Sequence, residues 1–469
     1  MHPSRASAIV MAALLGACAL QSPPSRSGEA GDIPGSWSAT KEARAGVDHH
    51  WVRKIGGSPL ESLISEAHSA NPSLKASAAR VDQAAAVAKI AGAERLPTVG
   101  AGLQGSRQKQ NFSGIPGVNG GSTSNSFGVS LQAAWEVDLW GKAKAGTEAA
   151  IADAEAQAQA DRALRASLAA QVSKAWLAVA ETNEQVALAE RNVNSRSEST
   201  TLVRERFERA IAEDGGSAAQ VRLTETELSS AKSELESRKG ERERALRQLE
   251  LLLGRYPSGN VATAAKLPKL PPPPPAGLPS ELLLRRPDLL AAERRLAAAG
   301  RRADQAEKAL YPSISLTGSL GTSTDQLEKI LSSSAGVWSL GGSLAQPIFQ
   351  GGRIRGGIEQ ADAAEREAVA DLQRVTLDAF GEVEQALVTE IYLRRQVAEL
   401  EQAVTLAEDA SERSNEEFRN GTGGVLTYLA SQNQEIQASS ALVTVRRLLL
   451  DNRVNLHLAL GGDVVLRGP

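Results

Sequence analysis

Residues 71–97, NPSLKASAARVDQAAAVAKIAGAERLP, run without a gap against residues 286–312, RPDLLAAERRLAAAGRRADQAEKALYP. Pro72 falls on Pro287, Leu74 on Leu289, Arg80 on Arg295 and Pro97 on Pro312. After each copy the same order follows: an alternating stretch, a loop, a second alternating stretch and a very long Ala-rich helical stretch. The chain is internally duplicated, and each copy carries one strand hairpin inside a mainly helical plan.

The alternation is clearest in the first copy. Phe127, Val129, Leu131, Ala133, Trp135, Val137 and Leu139 take every second position. Gly128, Ser130, Gln132, Ala134, Glu136 and Asp138 lie between them, which is the period of a strand with one apolar face. Its partner lies near 98–110, with Val99, Ala101 and Leu103 on one face, and residues 111–125 connect the two through Gly, Ser and Asn. In the second copy Ile314, Leu316 and Leu320 alternate with Ser313, Ser315, Thr317 and Ser319. Trp338, Leu340, Leu344 and Ile348 alternate with Ser339, Gly341, Ser343 and Ala345, and Pro347 closes that strand. A half-exposed soluble sheet gives the same pattern in any one strand. Four such strands in repeat-related pairs, behind a secretion signal, read as membrane strands.

The stretches after the hairpins are abnormally long. Gly352 to about Phe418 holds no proline, and Ala361, Ala364, Ala368, Leu372, Val375, Ala379, Val383 and Ala386 mark a helical seam. Leu164, Leu168, Val172, Ala175 and Val179 mark the matching seam in the first copy. A helix of roughly 65 residues is about 100 Å long, and only neighbours along its whole length can hold it. Return helices are predicted over 218–253 and 424–460, beyond the turns Glu213-Asp214-Gly215-Gly216 and Gly421-Thr422-Gly423-Gly424. The domain plan is therefore a signal peptide (1–17), an extended lipidated segment (18–60) and a first repeat (61–254) with its hairpin at 98–140. A Pro-rich linker (255–281, with Pro271 to Pro275 as a stiff spacer), a second repeat (282–462, hairpin 313–349) and a tail (463–469) follow.

Composition narrows the class. Basic and acidic residues number 52 and 55, so the chain has no cationic footprint for nucleic acid. Only 3% of residues are aromatic, which suits Ala-rich helices stacked on one another better than several compact cores. Arg5 and the apolar run Ala6 to Leu15 form a targeting segment that ends in Leu15-Gly16-Ala17-Cys18. Cys18 is the only cysteine, which excludes an internal disulfide. The tetrapeptide resembles a bacterial lipobox, whose cysteine is acylated and becomes the mature N-terminus. The same residues would also serve as an ordinary secretory signal with an incidental cysteine. Ala19, in place of Asp, resembles the sorting signal for the outer membrane.

Four strands cannot cross a bilayer as an open sheet, because edge N–H and C=O groups in hydrocarbon cost several kcal/mol each. Copies of the chain must pool strands. Two copies give eight, a barrel filled by its own side chains, and three give twelve, which suits a lumen lined by Gly, Ser and Thr.

WEVDLWGKAKAG (Trp135 to Gly146) and its repeat AQPIFQGGRIRGG (Ala345 to Gly357) resemble the strand-to-helix junctions of TolC-like outer membrane efflux factors. Trp140, Gly141, Gly351 and Gly352 stand at those junctions. RRPDLLAAERRLAAA and YPSISLTGSLG resemble the middle signature of the lipoprotein (NodT-type) branch, and NRVNLHLALGG (Asn452 to Gly462) is similar to its last helix. The resemblance covers the mature chain in order. It implies a homotrimer with a 12-stranded outer membrane barrel, a long periplasmic helical barrel and an equatorial waist. It also implies docking to a periplasmic membrane-fusion adaptor and an inner-membrane pump of the resistance-nodulation-division type, with small toxic compounds as cargo. In that family the periplasmic tip is closed by side chains of the inner helix pair and opens when the adaptor docks. Phe418 and Thr422 match the family's aromatic and polar positions before the second turn. Gly423, Thr427 and Ala430 stand where many members carry a basic residue and acidic ones, which leaves Glu213 and Asp214 as the nearest charged substitutes. The candidate gate is thus Glu213, Asp214, Phe418 and Thr422; the first two also read as solvated turn residues.

Chemistry of other kinds is missing from the sequence. His2, His49, His50, His68 and His457 have no metal-ligand company at a useful spacing. Glycine pairs fall at turns and not in a phosphate loop, and the helix carboxylates sit beside arginines as a solvated ion-pair surface. No nucleophile–base pair, cofactor site or metal site is expected, and energy for transport must come from a partner. A polypeptide-secretion duct and a pore-less lipoprotein scaffold are the competing readings; a scaffold has no use for four amphipathic strands.

Overall fold

The structure, a computed structural model, describes residues 36–39, 50–111, 121–211, 217–274, 277 and 279–462, all within one compact unit. Cys18, Glu213, Asp214 and the tail at 463–469 lie outside the described residues. In chain order the elements are α1 (Trp51–Ala70), α2 (Pro72–Ala93), β1 (Thr98–Asn111), β2 (Gly121–Val137), α3 (Lys142–Ile211) and α4 (Ala218–Leu253). The second repeat adds α5 (Pro279–Arg285), α6 (Pro287–Lys308), β3 (Ser313–Thr322), β4 (Gly336–Ala345), α7 (Arg353–Asn420) and α8 (Val425–Ala459).

The duplication is visible at the atoms that start each repeat. Pro72 and Pro287 both sit at the first turn of their helices, where a missing N–H costs nothing. Asn71 caps α2 by accepting from the Ser73 N–H at 2.8 Å, and its amide donates to the Leu252 carbonyl at the end of α4. The α3 helix has 70 residues, so it is about 105 Å long; α7 has 68.

Three boundaries differ from the sequence reading. Residues 51–60, expected as extended segment, are helical, because Trp51, Val52, Ile55 and Leu60 are all buried in the waist core. Gly57, at φ 64°, and Pro59 are accommodated by a kink in this helix. β2 begins at Gly121, inside the stretch expected to be loop, because its polar N-terminal part pairs with Arg107 to Asn111. β4 stops at Ala345, short of Ile348, since Pro347 has no N–H for the ladder.

The strands form one antiparallel sheet in the order β1-β2-β3-β4. The helices lie side by side in the same lateral order as the strands. Near the sheet the packed pairs run α2–α3, α3–α6 and α6–α7; away from it they run α4–α3, α3–α8 and α8–α7. Each layer is a strip with two lateral edges. Their cores sit at the waist, where Trp51, Leu60, Leu177, Leu249 and Leu253 are buried, and at the far turns, where Val203, Val221, Phe418, Val425 and Tyr428 are. Trp37 is buried against Phe380 on α7, and its indole donates to the Gly277 carbonyl at 3.1 Å. The Ser38 and Ala39 N–H groups donate to the two Glu384 carboxylate oxygens at 2.5 and 3.1 Å.

Candidate functional site

The sheet's register decides its chemistry. Ala101 pairs with Leu131, Leu131 with Leu320, and Leu320 with Trp338. Leu103 pairs with Val129; Trp135 pairs with Leu316; Ile314 pairs with Leu344. Directly paired residues share a face, so the apolar sides of both hairpins merge into one continuous surface. It is bare: Leu103 and Trp338 are 77% exposed and Leu340 is 80% exposed. The other face carries Ser130, Gln132, Glu136, Ser315, Thr317, Ser319, Ser339 and Ser343, with the Ser319 and Ser339 hydroxyls 2.7 Å apart. The repeats join closely at β2–β3. A side chain at Gly321 would meet the Val129 carbonyl oxygen at 2.1 Å, so only glycine fits there.

The junction residues anchor this sheet to the helices. The Trp140 indole donates to the Pro312 carbonyl at 2.8 Å and stacks on Tyr311, and the Trp135 indole donates to the Arg95 carbonyl at 3.0 Å. Each indole ties β2 to the end of one helix preceding a hairpin. Asp138 caps α3, accepting from the Ala143 and Lys144 N–H groups at 3.1 and 2.7 Å. Gly141 (φ 75°), Gly351 (φ 58°) and Gly352 (φ 86°) take the left-handed backbone that turns the chain from strand to helix. The sequence pointed to the glycines and Trp140. It missed Asp138, although an acidic residue just before a helix start is a readable cap signal.

At the far end, α7 closes on Gly421 (φ 78°), and the Thr422 and Gly423 N–H groups both donate to the Glu417 carbonyl, at 2.9 and 3.0 Å. Thr422 is exposed. Phe418 is buried and stacked on Tyr428, with ring centroids 5.5 Å apart. Arg206 of α3 reaches across to it, its guanidinium 4.3 Å from the Phe418 ring centre, and donates to the Phe418 and Arg419 carbonyls. Of the candidate gate, the structure therefore brings Phe418 and Thr422 to one turn. Arg206 was not legible, because its contact with Phe418 spans more than 200 positions in sequence, and Tyr428, ten positions from Phe418, was missed because the stack forms only when α8 folds back on α7.

The seam between repeats, α3 against α8, is polar. Gln185 bonds Ser440, Thr444 donates to Glu181, and Gln432 donates to the Ser195 hydroxyl. Arg196 is buried, donates to Asn433 at 2.5 Å, and burial pulls its pKa below the usual arginine value. Arg447 bridges Glu181 and Asp451. At the waist, Arg453 is fully buried in an ion pair with Glu390 and donates to the Pro271 carbonyl at 3.0 Å, which fixes the Pro-rich linker. Among the described residues, no group of His, Cys, Asp and Glu side chains could hold a metal ion, and no helix is long and apolar enough to cross a membrane.

A bare apolar strand face backed by a polar one, on helices of this length, defines an outer membrane channel subunit. The chain matches the outer membrane efflux protein family over residues 63–255 and 278–462, and it belongs to that family. It is 32% identical to outer membrane protein OprJ of Pseudomonas aeruginosa over 468 residues, which is 97% of this chain and 95% of OprJ. It is 31% identical to the pyoverdine export outer membrane protein OpmQ of the same organism, over 96% of this chain and 94% of OpmQ. The solved structure of the outer-membrane channel OprN superposes with a TM-score of 0.85 at 26% identity, covering 92% of this chain and 97% of that one. The protein is an outer membrane efflux channel.

Proposed function

We propose that three copies close into a passive duct that carries small toxic molecules from the periplasm to the exterior. One observation carries this reading: the four-stranded sheet has a continuous bare apolar face and two open edges, β1 and β4. Three sheets joined edge to edge make twelve strands around a lumen lined by small polar side chains. The helix strips end in edges of the same kind and close with them, so one wall runs from barrel to tip. The relatives OprJ and OpmQ are both outer membrane proteins by name, and OpmQ's name gives pyoverdine export. A solute such as pyoverdine is a small molecule, which favours small-molecule cargo over polypeptides. Purified protein inserted in a planar bilayer is expected to give discrete conductance steps; a folded, inserted protein that passes no ions would end the duct reading.

The duct needs no active site, and the protein is not an enzyme in this reading. Energy comes from an inner-membrane pump of the resistance-nodulation-division type, reached through a periplasmic adaptor that grips the helical tip. Cys18 carries lipid and anchors the N-terminus to the outer membrane, and the chain runs from it to α1 (Trp51–Ala70) and on to the repeats at 61–254 and 282–462. Intact-mass analysis of the mature protein tests this: an unmodified thiol on Cys18 would remove the anchor. The tip is the gate, with Phe418 and Thr422 at the second turn and Glu213 and Asp214 as an acidic ring at the first. Replacing Glu213 and Asp214 together by Ala is expected to lower cation selectivity; an unchanged reversal potential would leave the ring without a role.

A further inference from the structure

At the base of the sheet, where β2 gives way to α3, an open groove of about 740 Å³ is left unfilled. Its apolar wall is Trp135, Leu139 and Trp140, and its polar rim is Arg95, Lys144 and Lys308. The wall is held in place, since both indoles are hydrogen-bonded to backbone carbonyls, of Arg95 and of Pro312. It also continues the sheet's bare face, because Trp135 pairs with Leu316 on that face, and Leu131, four residues earlier on the same face, is half exposed. Lys308 and the root of the Lys144 side chain lie beside Gly141. Lys308 donates to the Gly141 carbonyl at 3.3 Å, and a side chain built at Gly141 would lie 3.7 Å from the Lys308 ammonium and 4.0 Å from the Lys144 Cβ.

Counter-charge in the groove is sparse. Asp138 is the only acid among its lining residues, and both its oxygens already accept N–H groups of α3. Glu148 stands 3.7 Å from the Lys144 ammonium, one turn down the helix and half-buried, and is shared with Arg301 at 3.2 Å. The groove is thus cationic, with an apolar wall leading one way only, up the sheet.

We propose that this groove binds one anionic phospholipid of the periplasmic leaflet, its phosphate among Arg95, Lys144 and Lys308 and its acyl chains along Trp135 and Leu131. The inference rests on the sheet lying in the outer membrane. A soluble phosphate ester has no use for the apolar wall, and a zwitterionic lipid brings an ammonium into a cationic site. An anionic headgroup gains from all three side chains at a boundary where desolvation strengthens the attraction.

The test titrates the purified, detergent-solubilised assembly with phosphatidylglycerol and with phosphatidylethanolamine, reading bound lipid by native mass spectrometry. The wild type is expected to prefer phosphatidylglycerol by on the order of tenfold, saturating at one lipid per chain. Arg95→Gln with Lys144→Gln should erase the preference, and Arg95→Lys with Lys144→Arg should keep it. Arg107→Gln with Lys109→Gln, at the other end of β1, should leave it unchanged. Single-channel conductance of each variant reads the duct separately. A conducting wild type without the preference overturns the lipid site and leaves the duct intact; so does a preference that inorganic phosphate abolishes at equal concentration, or one lost equally in the Arg107 and Lys109 variant.

Discussion

Leu340 and Ser339 are neighbours on β4 with opposite duties. Leu340 stands on the bare apolar face, and the Ser339 hydroxyl bonds Ser319 on the polar face. Arginine at Leu340 is expected to cost about 2–4 kcal/mol near the bilayer midplane, whereas Ser339→Arg loses one hydroxyl bond worth about 1 kcal/mol. Reversible unfolding from lipid vesicles measures both, and equal losses would reverse the assigned faces. Asp451 carries a different expectation. Burial pushes its carboxyl up to about 6, against the pull of Arg447 and Lys174 and with repulsion from Glu181. The folded chain therefore keeps a proton that the unfolded chain, with an aspartate pKa of about 3.9, has already lost. Stability from this group falls as pH rises from about 4 to about 6, by on the order of 3 kcal/mol, and stays reduced above that. Asp451→Asn should match the wild type near pH 4 and be the more stable of the two at pH 7. A thermal-melt difference that does not depend on pH would dismiss the raised pKa. Sequence could show the faces, because a period of two is local. It could not show Asp451 as unusual, because its environment comes from α3, which is remote in the chain.

At the scale of elements, the tip is where two helix pairs, each joined by its own turn, meet with no covalent link between the pairs. Phe418 holds them together: it is buried among Val203 of α3, Val221 of α4 and Tyr428 of α8, and Arg206 clamps the carbonyls beside it. Phe418→Ala removes a buried ring, a change that costs roughly 3–5 kcal/mol in a packed core. The loss should be local, since the waist has its own cluster around Trp51 and Leu249. Amide hydrogen exchange should quicken over 217–224 and 418–429 and stay unchanged over 246–253; acceleration at the waist as well would mean that the tip core is not a separate unit. Arg206→Ala should act in the same direction with a smaller effect, as it removes the clamp and leaves the ring. The helix boundaries here were legible to within a residue or two, because Gly421 to Gly424 and the return helix at 424 have local signals. The packing of Phe418 was not. An aromatic residue before a turn looks the same in the sequence whether it faces a lumen or a neighbouring helix.

For the whole molecule, edges decide the assembly. β1 offers 14 residues and β4 offers 10, each with one side of its backbone groups unpaired. In hydrocarbon each such group costs several kcal/mol, so an inserted single chain is ruled out by its own backbone. The helices repeat the argument. Only Leu74 and Ser77 of α2 are buried, and α7 buries nothing before Ala379, although its sequence carries the seam of a packed helix from Ala361 on. Those two helices are the outer members of the strip beside the sheet, so what they lack is a neighbour and not a core. The sequence made this legible through the strand count, since four is too few for a closed barrel; it left open which elements form the edges, which depends on β2 and β3 pairing across the repeats. In the proposed duct, three copies would satisfy all edges at once, β4 of each against β1 of the next and α7 against α2 beside the sheet and against α4 away from it. In a Cys18→Ser background, cysteine at Ala101 on β1 combined with cysteine at Leu340, Gly342 or Leu344 on β4 samples the registers of that junction. At least one combination should bring Cα atoms within about 7 Å, as a disulfide requires. Oxidised membranes should then show a ladder that ends at three chains, while either cysteine alone gives monomer. A ladder that stops at two chains or runs past three would refute the twelve-stranded closure, and its length would give the true number of copies.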